Sequence, residues 1–263
     1  MQPGQDITRV AIVGARGQMG ALFVRAFHKA GLTVATLDRP YTDAAIADGL
    51  AGAQLVILSV PVPAMRAVAE QIAPHLASST DGGAILADVC SVKVRPLEQM
   101  MNAYKGPVVG THPLFGPVIP EGFHPRVAVT PGRSFPNDEG GAAEAVARVF
   151  ASAGFEPFAS TAEEHDRAMA CVQGLNFITT VAYLAAARQT PGIEHYLTPS
   201  FERRLEAARK MLTQDRELFQ LISEDNPFLQ ETVRQFTAYL DLAAGGDLDL
   251  LSARASWWWR DKA

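Results

Sequence analysis

The stretch from Arg9 to Asp38 constrains this chain most. An apolar run, Val10-Ala11-Ile12-Val13, leads into a glycine-rich turn, Gly14-Ala15-Arg16-Gly17-Gln18-Met19-Gly20. An amphipathic segment follows from Ala21 to Ala30, then a breaker at Gly31 and a second apolar run, Leu32 to Leu37, ending on Asp38. The order predicts strand, tight turn, helix and strand. Glycines allow the sharp turn and the close approach of a pyrophosphate, which the free amides and positive dipole end of the helix would bind. An acid at the end of the second strand suits a ribose diol, and Asp38 stands eighteen residues after Gly20. The glycines are spaced G-x-x-G-x-x-G rather than G-x-G-x-x-G, and a turn of this kind also serves as a plain strand–helix connection. With its flanking strands and its acid, the stretch predicts a dinucleotide site. The candidates on it are Gly14, Arg16, Gly17, Gln18, Met19, Gly20, Asp38 and Arg39.

Alternation of strand and helix continues through the first half. Gln54 to Val60 predicts a buried strand, closing on Ser59-Val60-Pro61, and Pro63 to His75 the following helix. Ala84 to Val89 predicts a strand carrying Asp88, Leu97 to Tyr104 a short helix and Pro107 to Gly110 a further strand. Arg126 to Thr130 alternates like a strand, and Asp138 to Ala153 reads as a helix closed by Gly154. Such a series predicts an α/β domain, a Rossmann-type doubly wound parallel sheet covered on both faces. Ligands of these sheets sit beyond the carboxyl ends of the strands. Gly14, Asp38, Ser59, Ser91 and His112 all follow strand signals, so one sheet edge could collect them.

From about Thr161 strand signals vanish. Thr161-Ala162-Glu163-Glu164 has the capping-box pattern and opens a helix running to about Gln189, broken by Pro191 and Gly192. Pro199 to Ile222, Pro227 to Ala244 and Leu248 to Trp258 predict further helices. The reading is a dinucleotide-binding domain over 1–158 and an all-helical substrate and dimerisation domain over 159–263. Phe228, Leu229, Val233, Phe236, Tyr239 and Leu240 offer more apolar surface than one short helix hides, which points to a homodimer through this domain. Composition narrows the function classes. A net charge of −5 argues against a nucleic-acid surface. Two cysteines, Cys90 and Cys171, suit a reducing cytoplasm, and the N-terminus carries no apolar signal core. No apolar run approaches the length of a membrane span.

Several residues carry possible chemistry. His112, in Gly110-Thr111-His112-Pro113-Leu114-Phe115-Gly116, is either a proton acceptor held rigidly at the sheet edge or a loop histidine bonded to its own turn. Ser91 and Lys93 follow a strand; the plain alternative is a helix cap and a solvated amine. His165 and Asp166 open the long helix, where Asp166 could simply complement the helix dipole and His165 lie on the surface. Arg203, Arg204, Arg209 and Lys210 form a basic stretch that could meet an anionic substrate or be a solvated face. The cysteines and six scattered histidines lack metal-ligand spacing, so no metal is expected. Trp257-Trp258-Trp259 reads as core and interface packing.

Five motifs occur in the order found in prephenate dehydrogenases: Gly-x-x-Gly-Gln-Met-Gly, Val-Ile-Leu-Ser-Val-Pro, Asp-x-x-Ser-Val-Lys, Gly-Thr-His-Pro-Leu-Phe-Gly-Pro and Glu-His-Asp-x-x-Met-Ala-x-x-Gln. The chain resembles that family from about Arg9 to Trp258. The resemblance implies an oxidoreductase with a Rossmann domain followed by a helical dimerisation domain. Its implied reaction is the NAD-dependent oxidative decarboxylation of an anionic cyclohexadiene to an aromatic ring, in aromatic amino acid (tyrosine) biosynthesis, with NAD expected over NADP. It implies that His112 takes the proton of the substrate's ring hydroxyl, that Ser91 orients His112 beside the nicotinamide and that Lys93 supports them. It places His165 and Gln173 near the substrate, and Ser59, Val60, Pro61, Ser91 and Pro113 around the cofactor. Lys210 falls where the family has an arginine gripping a carboxylate, with Arg209 beside it. Phe177 stands where the family commonly has a histidine. The substrate is therefore prephenate or a relative with another substituent, arogenate or 4-amino-4-deoxyprephenate. No fused mutase or regulatory domain is expected. A non-catalytic NAD-binding sensor is the alternative from a different class, and it would need neither His112 nor Ser91.

Overall fold

The computed structural model describes residues 6–76, 83–135 and 141–259. The chain divides into two compact units, Met1–Asp166 and Arg167–Ala263. Strand β1 is Arg9–Val13, β2 Thr33–Leu37, β3 Leu55–Leu58, β4 Ile85–Asp88, β5 Val108–Pro113, β6 Arg126–Arg133 and β7 Glu156–Ala159. The intervening helices are α1 Gln18–Lys29, α2 Asp43–Leu50, α3 Val62–Leu76, α4 Val94–Ala103 and α5 Gly141–Ser152. One seven-stranded sheet results, in the order β2-β1-β3-β4-β5-β6-β7. The pairs from β2 through β5 are parallel, β5 and β6 are antiparallel, and β6 and β7 are parallel again. The unit is thus a Rossmann-type doubly wound fold. Helix α2 and strand β7 were not anticipated, and residues 138–140 of the helix expected from Asp138 lie outside the described residues.

Alternation along the strands sorts two cores. Val10, Ile12, Leu55, Ile57, Val109 and Val127 face one side, under Phe23 and Phe27 of α1 and Val146, Val149 and Phe150 of α5. Ala11, Val13, Val56, Leu58 and Leu86 face the other, under Ile46, Met65, Ile72 and Met100 of α2, α3 and α4. In α1 the buried positions are Gly20, Phe23 and Phe27, spaced three and four apart as one helix face requires. Phe23, Phe27, Phe150 and Phe155 make an aromatic cluster with centroids 5.5–6.0 Å apart.

The second unit is helical throughout its described residues. Helical backbone runs from α6 (Ala162–Met169) through a π-helical segment, Ala170–Leu175, into α7 (Asn176–Ala187). The expected single helix from Pro199 to Ile222 is in fact two, α8 Pro199–Thr213 and α9 Arg216–Asp225, because the chain leaves helical geometry at Asp215. Then come α10 Leu229–Ala244 and α11 Leu248–Ala255, with a 3₁₀ turn over Ser256–Trp259. Within this unit Leu229 packs against Gly174 of the π segment, Phe177 stacks on Phe219 at 5.3 Å, and Arg167 lies 4.1 Å over Phe228. Trp257, Trp258 and Trp259 are 59%, 71% and 81% exposed and form no core. The run Ala162–Ala187, 26 residues with a window of mean hydropathy 1.4, is long and apolar enough to cross a membrane. Polar residues, notably Gln173 and Asn176, interrupt it. Length and composition alone do not separate a span from an apolar packing helix.

The aromatic cluster gives a direct test of the first core. Phe150 is fully buried and touches three of the other rings. Phe150→Ala should lower the unfolding free energy by about 3–5 kcal/mol, read from a shifted denaturant midpoint at unchanged slope.

Candidate active site

The turn after β1 is fixed by backbone packing. Gly14 has φ +86°, its amide donates to Leu37 O, and a Cβ there would lie 2.4 Å from Ser59 O. A Cβ on Gly20 would lie 2.3 Å from Gly14 O, so both positions exclude side chains. The first-turn amides of Gln18, Met19 and Gly20 donate to no acceptor among the described residues. An open glycine turn with unpaired amides at a helix N-terminus fits a pyrophosphate. Asp38 Oδ1 accepts from the Arg16 amide at 3.1 Å, joining the end of β2 to the turn. Arg16 and Arg39 are exposed, and Pro61 is exposed next to half-buried Ser59 and Val60.

A buried polar network lies at the ends of β4 and β5. Lys93 is completely buried, which rules out the solvated alternative. Its Nζ donates to Asp88 Oδ2 at 2.5 Å and to Thr111 O at 2.6 Å. Asp88, equally buried, also accepts from the amides of Cys90 (2.8 Å) and Thr111 (3.2 Å). A buried carboxylate and ammonium persist only when paired and further hydrogen-bonded, as both are here. Gly110 makes the room: a Cβ there would sit 3.1 Å from Lys93 Cδ.

His112 and Pro113 lie inside β5 rather than after a strand ending at Gly110, and both are buried. The strand is longer than expected because β6 pairs with it, His112 opposite Ala128 and Pro113 opposite Val127. The loop-histidine alternative is therefore excluded. His112 Nδ1 lies 2.8 Å from His165 Nε2, and His165 Nδ1 lies 2.7 Å from Asp166 Oδ1. Burial first, then His165 and Lys93, hold His112 well below the usual histidine range, so the ring is neutral at pH 7.

Asp166 and His165 are also buried, so the surface alternative for His165 fails. Asp166 accepts the Lys93 amide at 2.7 Å and the Val94 amide at 2.9 Å, capping α4 from a distant part of the chain. The capping box does form: Glu164 N donates to Thr161 Oγ1 at 3.2 Å and Thr161 N to Glu164 Oε2 at 3.0 Å, which sets the first turn of α6. Ser91 is half-buried, and its hydroxyl makes no hydrogen bond among the described residues, neither to His112 nor as a cap.

The remaining candidates lie in the helical unit. Gln173 Oε1 is buried without a hydrogen-bond partner among the described residues. Arg209 and Lys210 are exposed, with Arg209 3.8 Å from Glu206 and Lys210 3.5 Å from Asp215. Arg204 instead stacks over Tyr183 at 3.7 Å. Two residues that sequence reasoning missed, Asp88 and Thr111, complete the buried network. The available signal was an acid ending a wholly apolar strand, five residues before a lysine.

An open sheet with this glycine turn defines a nucleotide-binding unit of the dehydrogenase kind. Comparison with known proteins agrees. The sequence pattern described as "Prephenate dehydrogenase, nucleotide-binding domain" matches residues 29–124. The T-protein of Enterobacter agglomerans is 32% identical over 98% of this chain and 69% of its own length. The T-protein of Haemophilus influenzae is 32% identical over 88% of this chain, which spans 60% of that protein. Among solved structures, prephenate dehydrogenase from A. aeolicus, in complex with hydroxyphenyl propionate and NAD+, superposes with a TM-score of 0.76 at 19% identity, covering 96% of each chain. Synechocystis arogenate dehydrogenase gives 0.76 at 18% identity, covering 97% of this chain and 99% of that one. The chain belongs to the prephenate dehydrogenase family, oxidoreductases with an NAD-binding domain.

The buried pair yields a stability test. Lys93→Met leaves Asp88 buried and unpaired and should cost about 3–5 kcal/mol of unfolding free energy. Adding Asp88→Asn should restore much of that loss, because no lone charge then remains. Equal stability of Lys93→Met and wild type in denaturant titration would contradict the network.

Proposed function

We propose that the chain catalyses the NAD-dependent oxidative decarboxylation of prephenate to 4-hydroxyphenylpyruvate, with His112 as the proton acceptor. The observation that carries this reading is a neutral, buried imidazole at the carboxyl end of β5, in the same sheet whose β1 ends in the glycine turn. Gly14, Gly17, Gln18, Met19 and Gly20 would hold the pyrophosphate, Asp38 the adenosine ribose, and Ser59, Val60, Pro61 and Pro113 the rest of the cofactor's surroundings. The Asp38 carboxylate favours NAD by repelling a 2′-phosphate. Bound NAD supplies the hydride acceptor.

The protein's own part is to orient the substrate and manage one proton. His112 Nε2 accepts the proton of the ring hydroxyl as the C–H bond at the same carbon breaks. The bond from ring to carboxylate then breaks, CO₂ leaves, and its electron pair completes the aromatic ring. The ring oxygen regains charge and takes the proton back, so no net proton is consumed. Ser91 and Lys93 support His112, and Gln173, Arg209 and Lys210 are the candidates for holding the substrate's polar groups. The helical unit serves as substrate and dimerisation domain. Exposed Tyr239, Leu240 and Leu242 on α10 and Leu248 and Leu250 on α11 support a homodimer.

One observation favours a second reading. Phe177 packs against Phe219 as part of an apolar pair, so it offers no hydrogen bond where the family commonly has a histidine. A relative of prephenate carrying an amine, 4-amino-4-deoxyprephenate or arogenate, is then the substrate. Sites that lose a buried polar contact change discrimination strongly.

NADH formation with the three substrates tests the reaction. Turnover should be measurable on at least one, and His112→Asn should lower kcat by about 10²–10⁴-fold with NAD affinity unchanged. An His112→Asn enzyme of near-normal kcat would remove His112 from the chemistry. For the substrate, kcat/KM of wild type should rank prephenate first. If the ranking instead favours an amine, Phe177→His should recover prephenate turnover.

A further inference from the structure

The network behind His112 fixes more than its position. Asp166 Oδ1 and Oδ2 accept the amides of Lys93 and Val94 at the N-terminus of α4, so both oxygens serve as acceptors. Asp166 Oδ1, already the acceptor of the Lys93 amide, lies 2.7 Å from His165 Nδ1 and accepts from it, so that nitrogen carries the proton. In a neutral His165 the other nitrogen, Nε2, then has only a lone pair. The contact of 2.8 Å to His112 Nδ1 therefore needs a proton on Nδ1 of His112. By exclusion, His112 Nε2 is bare and able to accept.

We propose that His112 and His165 act as one proton-accepting pair, in which His165 stores the proton while His112 meets the substrate. The inference rests on the reading of His112 as the proton acceptor. As a proton arrives at His112 Nε2, the Nδ1–H bond of His112 breaks and its proton bonds to Nε2 of His165. His165 becomes an imidazolium against the Asp166 carboxylate, and His112 stays neutral as its other tautomer. When the ring oxygen regains charge, both transfers reverse, so the pair ends as it began. The charge thus rests beside Asp166 and not on His112, which faces the Lys93 ammonium and is itself fully buried. Lys93 is compensated by Asp88, leaving Asp166 as the carboxylate that supports His165. His165 and Asp166 are positioning and storage residues; His112 touches the substrate.

The test that needs no substrate is nitrogen-15 NMR of the full chain labelled at histidine, with resonances assigned from His112→Asn and His165→Gln. At neutral pH, His112 should carry its proton on Nδ1. On acidification within the folded range, the first proton should appear on His165 while His112 changes tautomer to Nε2–H. His112 with Nε2–H at neutral pH, or a first proton resting on His112, overturns the pair. The kinetic arm uses the substrate found above. In mixtures of light and heavy water the wild-type rate should curve with deuterium fraction, since two protons move. His165→Gln, which can accept from His112 Nδ1 but cannot take its proton, should bind NAD normally, lose at least about tenfold in kcat and give a straight line. A His165→Gln enzyme with wild-type kcat also overturns the pair. Failure of the function reading would show differently, as no turnover on any substrate with the tautomers as described.

Discussion

The buried Lys93 ammonium is the constraint on which the site depends. Moving such a charge out of water costs several kcal/mol, so the surrounding chain has to supply an anion and a further acceptor. Asp88 at the end of β4 and the Thr111 carbonyl within β5 do so. Their positions tie two adjacent parallel strands to the residue that starts α4. Thr111 precedes His112, so the carbonyl that holds Lys93 also fixes the backbone from which the imidazole projects. Lys93 has two further consequences. Its amide and that of Val94 hold Asp166, and its charge adds to the burial that keeps His112 neutral.

Neutrality and burial work together here. An exposed histidine near its ordinary range would be partly protonated at neutral pH, and that fraction could not accept. A buried one is neutral but makes a poor resting place for charge. The Asp166–His165 pair answers the second problem without undoing the first, because the carboxylate lies one imidazole away from His112. The geometry separates the atom that meets a proton from the place where the resulting charge is most favourable.

The sheet was legible because its signals are local. Apolar runs of four to six residues, a glycine turn and alternating helices identify a doubly wound fold whichever side chains meet. The site was legible only as a set of strand-end residues. Whether Lys93 is solvated or buried depends on Gly110 and Asp88, and whether His165 is on the surface depends on packing that periodicity does not encode. The end of β5 was misjudged at Gly110 because Pro113 reads as a breaker, yet a partner strand carries the pairing through it. Helices α8 and α9 were merged because the residues at the break, Gln214 and Asp215, are neither glycine nor proline. The exposed tryptophans show the converse: apolar residue type predicts burial only once a covering surface exists.

The two groups of candidate residues occupy different stretches of the chain. Every member of the proton network, Asp88, Lys93, Thr111, His112, His165 and Asp166, lies in the first compact unit. The residues proposed to read the substrate, Gln173, Phe177, Arg209 and Lys210, lie in the second. The first group is interlocked, since the buried Lys93 ammonium and Asp88 carboxylate depend on each other and losing either leaves the other unpaired. The second is loosely coupled: exposed Arg209 and Lys210 pair with Glu206 and Asp215, and Phe177 sits in a two-ring stack. Exposed ion pairs contribute little to stability, so substitutions there are far cheaper than in the buried network. A chain partitioned in this way can vary the residues proposed to read the substrate while the buried network stays fixed. A departure such as Phe177 therefore bears on the proposed substrate and leaves the proposed role of His112 unchanged.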